Sequence, residues 1–252
     1  MTVDAWAQVV RHRLGLGRLL PLGVAGDGVW ITEGAAEAVL RRAAAPVRGV
    51  RLGTLRIALA DPERSRDPAV PAPPSALPPG PLRVSAEFTA WADPTAPDAE
   101  PLPTTAARLR VALAEAATEG LGLTVTEVDL RVTGLPAEDQ ETAAVRPADV
   151  RPADLRPADV RPAAEPTGAD EARVAAAALS VPGVTHLTDA LGRSVHIEDG
   201  GPAGGDALPR RHVRVELAVS GRAAEVAREV RRAVTDSLPD SPSVAVVVTS
   251  AH

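Results

Sequence analysis

Five histidines, His12, His186, His196, His212 and His252, are the side chains of this chain best suited to acid-base or metal chemistry. Only His196 and His212 sit in neighbouring alternating stretches, so only they are placed to approach one another across paired strands. The chain has no cysteine. That removes disulfides, thiolate metal sites and cysteine nucleophiles together, and a zinc site would need His186, His196 and His212 with Glu198 or Asp199. The plainer reading is that these imidazoles are solvated residues on the polar phase of a sheet. Serine supplies no G-x-S-x-G elbow. The glycines at Gly15 and Gly17 and the cluster from Gly200 to Gly205 lack the spacing of a phosphate loop, and no lysine is present to reach a phosphate.

Two further features bear on binding. Arg210, Arg211, His212, Arg214, Arg228, Arg231 and Arg232 form a basic C-terminal cluster that could meet RNA. Glu216, Glu225, Glu229 and Asp236 interleave with it, and no aromatic residue stands nearby to stack a base. The proline runs Pro71, Pro73, Pro74 and Pro78, Pro79, Pro81 could occupy an SH3- or WW-like groove, although GC-rich coding generates such runs readily. No catalytic, cofactor-binding or metal-binding residue emerges, and the expectation is a protein that is not an enzyme and needs no cofactor.

The chain that would position these residues has 252 of them, with 45% apolar, 24% charged and only 2% aromatic. Its core must come from Leu, Val and Ala. All 27 basic residues are arginine, and Lys, Asn, Tyr and Cys are absent, the composition of a very GC-rich gene of the actinomycete kind. A net charge of -6 argues against nonspecific nucleic-acid binding. No apolar run approaches the ~18 to 20 residues of a membrane span, and the first ten residues do not read as a secretory signal. The expected compartment is the cytoplasm.

The pentads beginning at Arg146, Arg151 and Arg156 repeat Arg-Pro-Ala-Asp-aliphatic. Proline every fifth residue forbids a continuous helix or central strand, so residues 136–169 read as a solvated spacer. On either side of it one order of patterns appears twice. Before it, Thr32 reads as an N-cap for a helix with Ala36, Val39, Leu40, Ala43 and Val47 on one stripe. Strands at Leu55 to Leu59 and at Leu82 to Ala90 follow, then a helix through Leu109 and Leu113 and a strand at Val128 to Val132. After it, a helix capped by Asp170 carries Val174, Ala178 and Leu179. Strands at Val195 to Ile197 and Val213 to Val219 come next, then a helix through Val226 and Val230 and a strand at Val244 to Val248.

The expected fold is α+β: two tandem two-layer α/β sandwiches, each helix-strand-strand-helix-strand. The expected division is an N-terminal amphipathic segment over residues 1–28, a first module over 29–135, the linker over 136–169 and a second module over 170–252. Arg83, Ser85 and Glu87 in the first module, and Arg214 and Glu216 in the second, share the polar phase of their strands. Both sets are expected on open sheet faces, with helices on the other side.

The segment from Trp30 to Ala44 ending at Gly49 and Val50 resembles the opening helix of the alkaline-shock / Gls-type envelope stress response family. The stretches from Leu102 to Ala116 and from Glu127 to Gly134 resemble that family's closing helix and strand, and the second copy is similar but shorter. The two-copy form resembles actinomycete proteins that accompany such stress proteins. The resemblance implies a non-enzymatic interaction or scaffolding protein linked to envelope homeostasis. It also implies protein partners such as a membrane-anchor protein or related stress proteins, self-association, and a cytoplasmic, membrane-peripheral place. The alternative is an RNA-binding module using the C-terminal arginines.

Overall fold

The computed structural model describes residues 16–91, 100–134, 168–199 and 211–252. The linker repeats, the first fifteen residues and most of the glycine-rich turn before Arg211 lie outside them.

Thr32 caps the first helix, α1 (Glu33–Ala44), its Oγ1 accepting from the Ala35 N–H at 3.3 Å. Ala36, Leu40 and Ala44 form the buried stripe of that helix. Three strands follow: β3 (Val50–Leu59), β4 (Leu82–Ala90) and, after helix α2 (Leu102–Glu115), β5 (Val125–Gly134). They form one sheet in the order β3-β4-β5, antiparallel then parallel. Helix α2 ends in one wide π-type turn, Ala116–Leu121, stopped by Gly122 at φ 83.

The second unit repeats the plan. Helix α3 (Ala169–Leu179) leads to β6 (Val184–Leu187), β7 (Val195–Glu198) and β8 (His212–Val219), and helix α4 (Ala223–Ser237) leads to β9 (Ser243–Ala251). Strands β6 and β7 both pair antiparallel with β8, and β8 pairs parallel with β9. The pair β6 and β7 therefore does the work of β3, interrupted by residues 188–194. Gly49 (φ 72) and Gly183 (φ 93) turn the chain from helix to strand at matched places in the two units, in a region of backbone space that favours glycine.

Several details differ from the sequence reading. Gly168, not Asp170, is the N-cap of α3, and Leu179 is half exposed and off the buried stripe. Trp30 and Ile31, read with the opening helix, are strand residues. Residues 19–21 and 29–32 form a hairpin, β1 (Leu19–Pro21) and β2 (Val29–Thr32), and β2 pairs parallel with β9. This hairpin extends the sheet of the second unit to six strands, although α1 follows it without a break. Helical periodicity could not separate them, because the three apolar residues Val29, Trp30 and Ile31 before the cap read equally as helix or strand when their pairing partner is remote in sequence.

A single buried cluster links both units. It runs from Ile57, Val84 and Phe88 on the first sheet through Leu40, Leu109, Val174 and Val230 of the four helices to Val215 and Val246 on the second sheet. Polar contacts cross the same seam: Arg42 donates to the Ala251 carbonyl and Arg228 Nε lies 3.1 Å from Asp27. A Cβ on Gly122 would stand 2.4 Å from Ala224 Cβ, so the π-type turn and the start of α4 touch only because this residue is glycine.

Candidate functional site

Strand β4 turns Leu82, Val84, Ala86, Phe88 and Ala90 inward and leaves Arg83, Ser85 and Glu87 on the outer face, as its period-2 alternation requires. The register sets Glu127 beside Arg83, Asp129 beside Ser85 and Arg131 beside Glu87. Arg83 meets Glu127 at 2.5 Å and Asp129 at 3.5 Å, and Arg131 meets Glu87 at 3.6 Å. The Glu127 hydrogen bond and charge hold the Arg83 guanidinium above its ordinary pKa. Strand β3 adds Arg56 beside Ser85 and Arg51 beside Thr89, with the Arg51 guanidinium 5.1 Å from the Trp91 ring centre. These pairs are exposed and add little to stability. They make instead a polar platform on the outer face of the first sheet, in keeping with the expectation for Arg83, Ser85 and Glu87.

The corresponding face of the second sheet is closed over Glu216, which corrects the expectation for that residue. This residue is 0% exposed. Residues 188–194 bulge out between β6 and β7 and fold back over it: the Thr188 N–H donates to the Glu216 carbonyl, and the Glu216 N–H donates to the Ser194 carbonyl. The Leu191 N–H donates to Glu216 Oε2 at 2.8 Å, and Arg214 Nε stands 3.6 Å from Oε1, which accepts no hydrogen bond. Burial pushes the Glu216 carboxyl up to about 7, against the pull of the Leu191 N–H and Arg214. Beside Glu216 the face is covered by a second apolar cluster of Leu19, Trp30, Val70, Ala245 and Val247, joined by Ala76 and Leu191, whereas at the β7 end Glu198, on the same phase, stays 61% exposed. Val70 and Ala76 belong to the proline-rich segment between β3 and β4, which docks on β1 through the Leu77 N–H and the Leu19 carbonyl.

The signal for this closure is present in the sequence. Val244 to Val248 is an unbroken apolar run, the mark of a strand covered on both faces. Reading only Val244, Val246 and Val248 as inward left Ala245 and Val247 without a face.

Among the described histidines, His196 and His212 lie on the paired strands β7 and β8, near enough for their charges to interact. His196 stands opposite Arg214 and bonds Glu198 at 2.8 Å, whereas His212 stands opposite Glu198 and bonds Ser243 at 3.0 Å. Burial lowers the His212 pKa. His186 contacts the Thr185 hydroxyl, and no group of three or more His, Asp or Glu among the described residues is arranged to hold a metal ion. Arg210 lies outside the described residues, and the described arginines of the C-terminal cluster meet acceptors of the fold. Arg211 bonds Asp170, Arg214 faces Glu216, Arg228 pairs with Asp27, Arg231 donates to the Gly26 carbonyl and Arg232 pairs with Glu229. A surface groove of about 560 Å³ between the end of α3 and α4 is lined by Ser180, Pro182, Glu229, Arg232 and Asp236. No helix among the described residues is long and apolar enough to cross a membrane. Compared with protein-family models, curated proteins and solved structures, the chain matches none of them.

Proposed function

We propose that this chain is a non-enzymatic interaction or scaffolding protein of the envelope stress response kind, which engages protein partners through the outer face of its first sheet. One observation carries the reading. Among the described residues, the fold covers the outer face of the second sheet around Glu216, Ala245 and Val247 with a tryptophan, a loop and a proline-rich segment, yet leaves the equivalent face of the first sheet open and charged. An uncovered, charged sheet face offers its side chains to a partner. The resemblance of the two α/β units to the alkaline-shock / Gls-type family supplies the partner class: a membrane-anchor protein or a related stress protein, met from the cytoplasmic side.

The test is recovery of partners from host extract with solubilised membranes, using the wild-type chain and the double variant Arg83→Glu with Glu87→Arg. Loss of recovered partners with an unchanged circular dichroism spectrum is the expected result. Equal recovery by the two chains rejects this face as the docking surface. Steeply salt-dependent binding of labelled RNA by the purified chain would favour the nucleic-acid reading instead.

A further inference from the structure

The edges of the two sheets are protected unequally. In the second sheet, β1 is three residues long, ends at Pro21 and is bridged to Ala76, while the opposite edge is broken by residues 188–194 between β6 and β7. In the first sheet, β3 is irregular between Leu52 and Leu55, and the Arg41 guanidinium donates to the Leu52 and Gly53 carbonyls. Its outward charges, Arg51 and Arg56, are both positive. Short strands, proline, bulges and like charges are the usual defences of an edge. Strand β5 bulges at Thr126 and Thr133, but between them, from Glu127 to Val132, it pairs regularly with β4, holds no proline and carries charges of both signs, and among the described strands it pairs only with β4.

The direction of its backbone groups follows from the ladder. The Leu82 N–H donates to the Thr124 carbonyl, so Leu82 faces β5, and the unbroken pairing of Leu82 to Ala86 with β3 carries that parity along β4. In a parallel pair, a residue that bonds its neighbour does so with both groups, and the residue level with it turns both groups away. Val128, Leu130 and Val132, level with Val84, Ala86 and Phe88, therefore present their N–H and C=O groups outward. The Arg110 guanidinium, 3.2 Å from the Val128 carbonyl, marks that outer side and leaves the other groups of the three residues untouched by it.

We propose that β5 pairs antiparallel with β5 of a second copy of this chain about a two-fold axis at Leu130, joining two three-stranded sheets into one. This rests on reading the first unit as an interaction module and names one occupant of its edge. Charge selects the register. With Leu130 on the axis, Asp129 faces Arg131 of the second copy twice, Glu127 faces Thr133, and Val128 covers Val132, which is 37% exposed in the single chain. Shifting the axis to Asp129 would set two aspartates face to face, which a cross-strand pair disfavours. The contact is isologous and closes on itself.

The test uses the purified full chain alone, in sedimentation equilibrium across about 10 µM to 1 mM, the range suited to a small edge-to-edge interface. The wild type is expected to dimerise. Arg131→Glu and Asp129→Arg, at side chains 80% and 63% exposed, should each weaken dimerisation roughly tenfold or more. Mixed in equal amounts they should associate again, because positions 129 and 131 then face opposite charges in the mixed dimer. A wild type that stays monomeric, single variants that dimerise like it, or a mixture no tighter than its parts overturns the pairing. Hydrogen exchange of the wild type gives a readout without variants: the Val128, Leu130 and Val132 amides should slow as the chain is concentrated, and unchanged exchange overturns it equally. Recovery of host partners through Arg83 and Glu87 is a separate measurement, so either reading can fail while the other stands.

Discussion

Glu87 and Glu216 occupy one position in two copies of one plan, and they lead opposite lives. Each precedes the matched inward residue of its second strand, Phe88 or Leu217, and each faces the last strand of its unit. Glu87 looks across to Arg131 and keeps 38% of its side chain in water. Glu216 looks across to Val247 under residues 188–194 and has none. The difference is made by the neighbouring strand: Asp129 and Arg131 on β5 leave a face wet, whereas Ala245 and Val247 on β9 invite Trp30 and the proline-rich segment to cover it. Topology is shared, and a few outward residues of one strand decide whether the result is an exposed surface or a second core.

The comparison can be broken most severely at its cover. Trp30→Ala removes the largest side chain of the outer cluster, at 1% exposure, and should cost about 3 to 5 kcal/mol in urea unfolding. A loss below about 1 kcal/mol would show that the outer face of the second sheet is not a packed layer.

The next largest effect is pH-dependent. The folded-state pKa of Glu216 lies above its ordinary value of 4.5, near 7, so the folded chain holds this proton more tightly than the unfolded chain. Stability from this group is full below about 4.5, falls as pH rises through the window to about 7, and then levels off. Glu216→Gln, which leaves His212 in place, should match the wild type near the acid end and exceed it by up to about 3 kcal/mol above pH 8. Parallel stability curves for the two proteins would remove the buried-acid account.

Thr32→Ala probes the seam between the units. The hydroxyl caps α1 and also lies 3.4 Å from the Thr249 carbonyl of β9, so its loss should cost about 1 kcal/mol. A change confined to noise in thermal unfolding would deny the cap a role. Smallest of all, Glu87→Gln should shift stability by under about 0.5 kcal/mol, since the residue is exposed and its ion pair is long. A larger loss would mean that the first sheet's outer face is covered after all.

Sequence patterning carried the repeated order of helices and strands, the Thr32 cap and the phase of β4, because those depend on neighbours within a few residues. It did not carry the place of Trp30 and Ile31, whose strand partner Val247 and Val248 lies more than two hundred residues away. Nor did it carry the fate of Glu216. Alternation in β8 assigns that side chain to the polar phase, but only the segment folding over it and the apolar run of β9 show that the phase is dry. The platform of the first sheet was legible through Arg83, Ser85 and Glu87, and its partners Glu127, Asp129 and Arg131 followed once the register was known.

The insertion of β2 beside β9 also orders events in time. During synthesis, residues 19–134 leave the ribosome with the first sheet complete in sequence, but β2 has nothing to pair with on its inner side. Its partner, Ser243–Ala251, emerges after residues 135–167 and the whole of α4. Strand β9 is moreover interior to its sheet, flanked by β8 and β2. Contacts of such high sequence separation carry a loop-closure cost and slow the search for the native arrangement. The nascent chain must hold Trp30 and Ile31 without their final neighbour until that strand arrives.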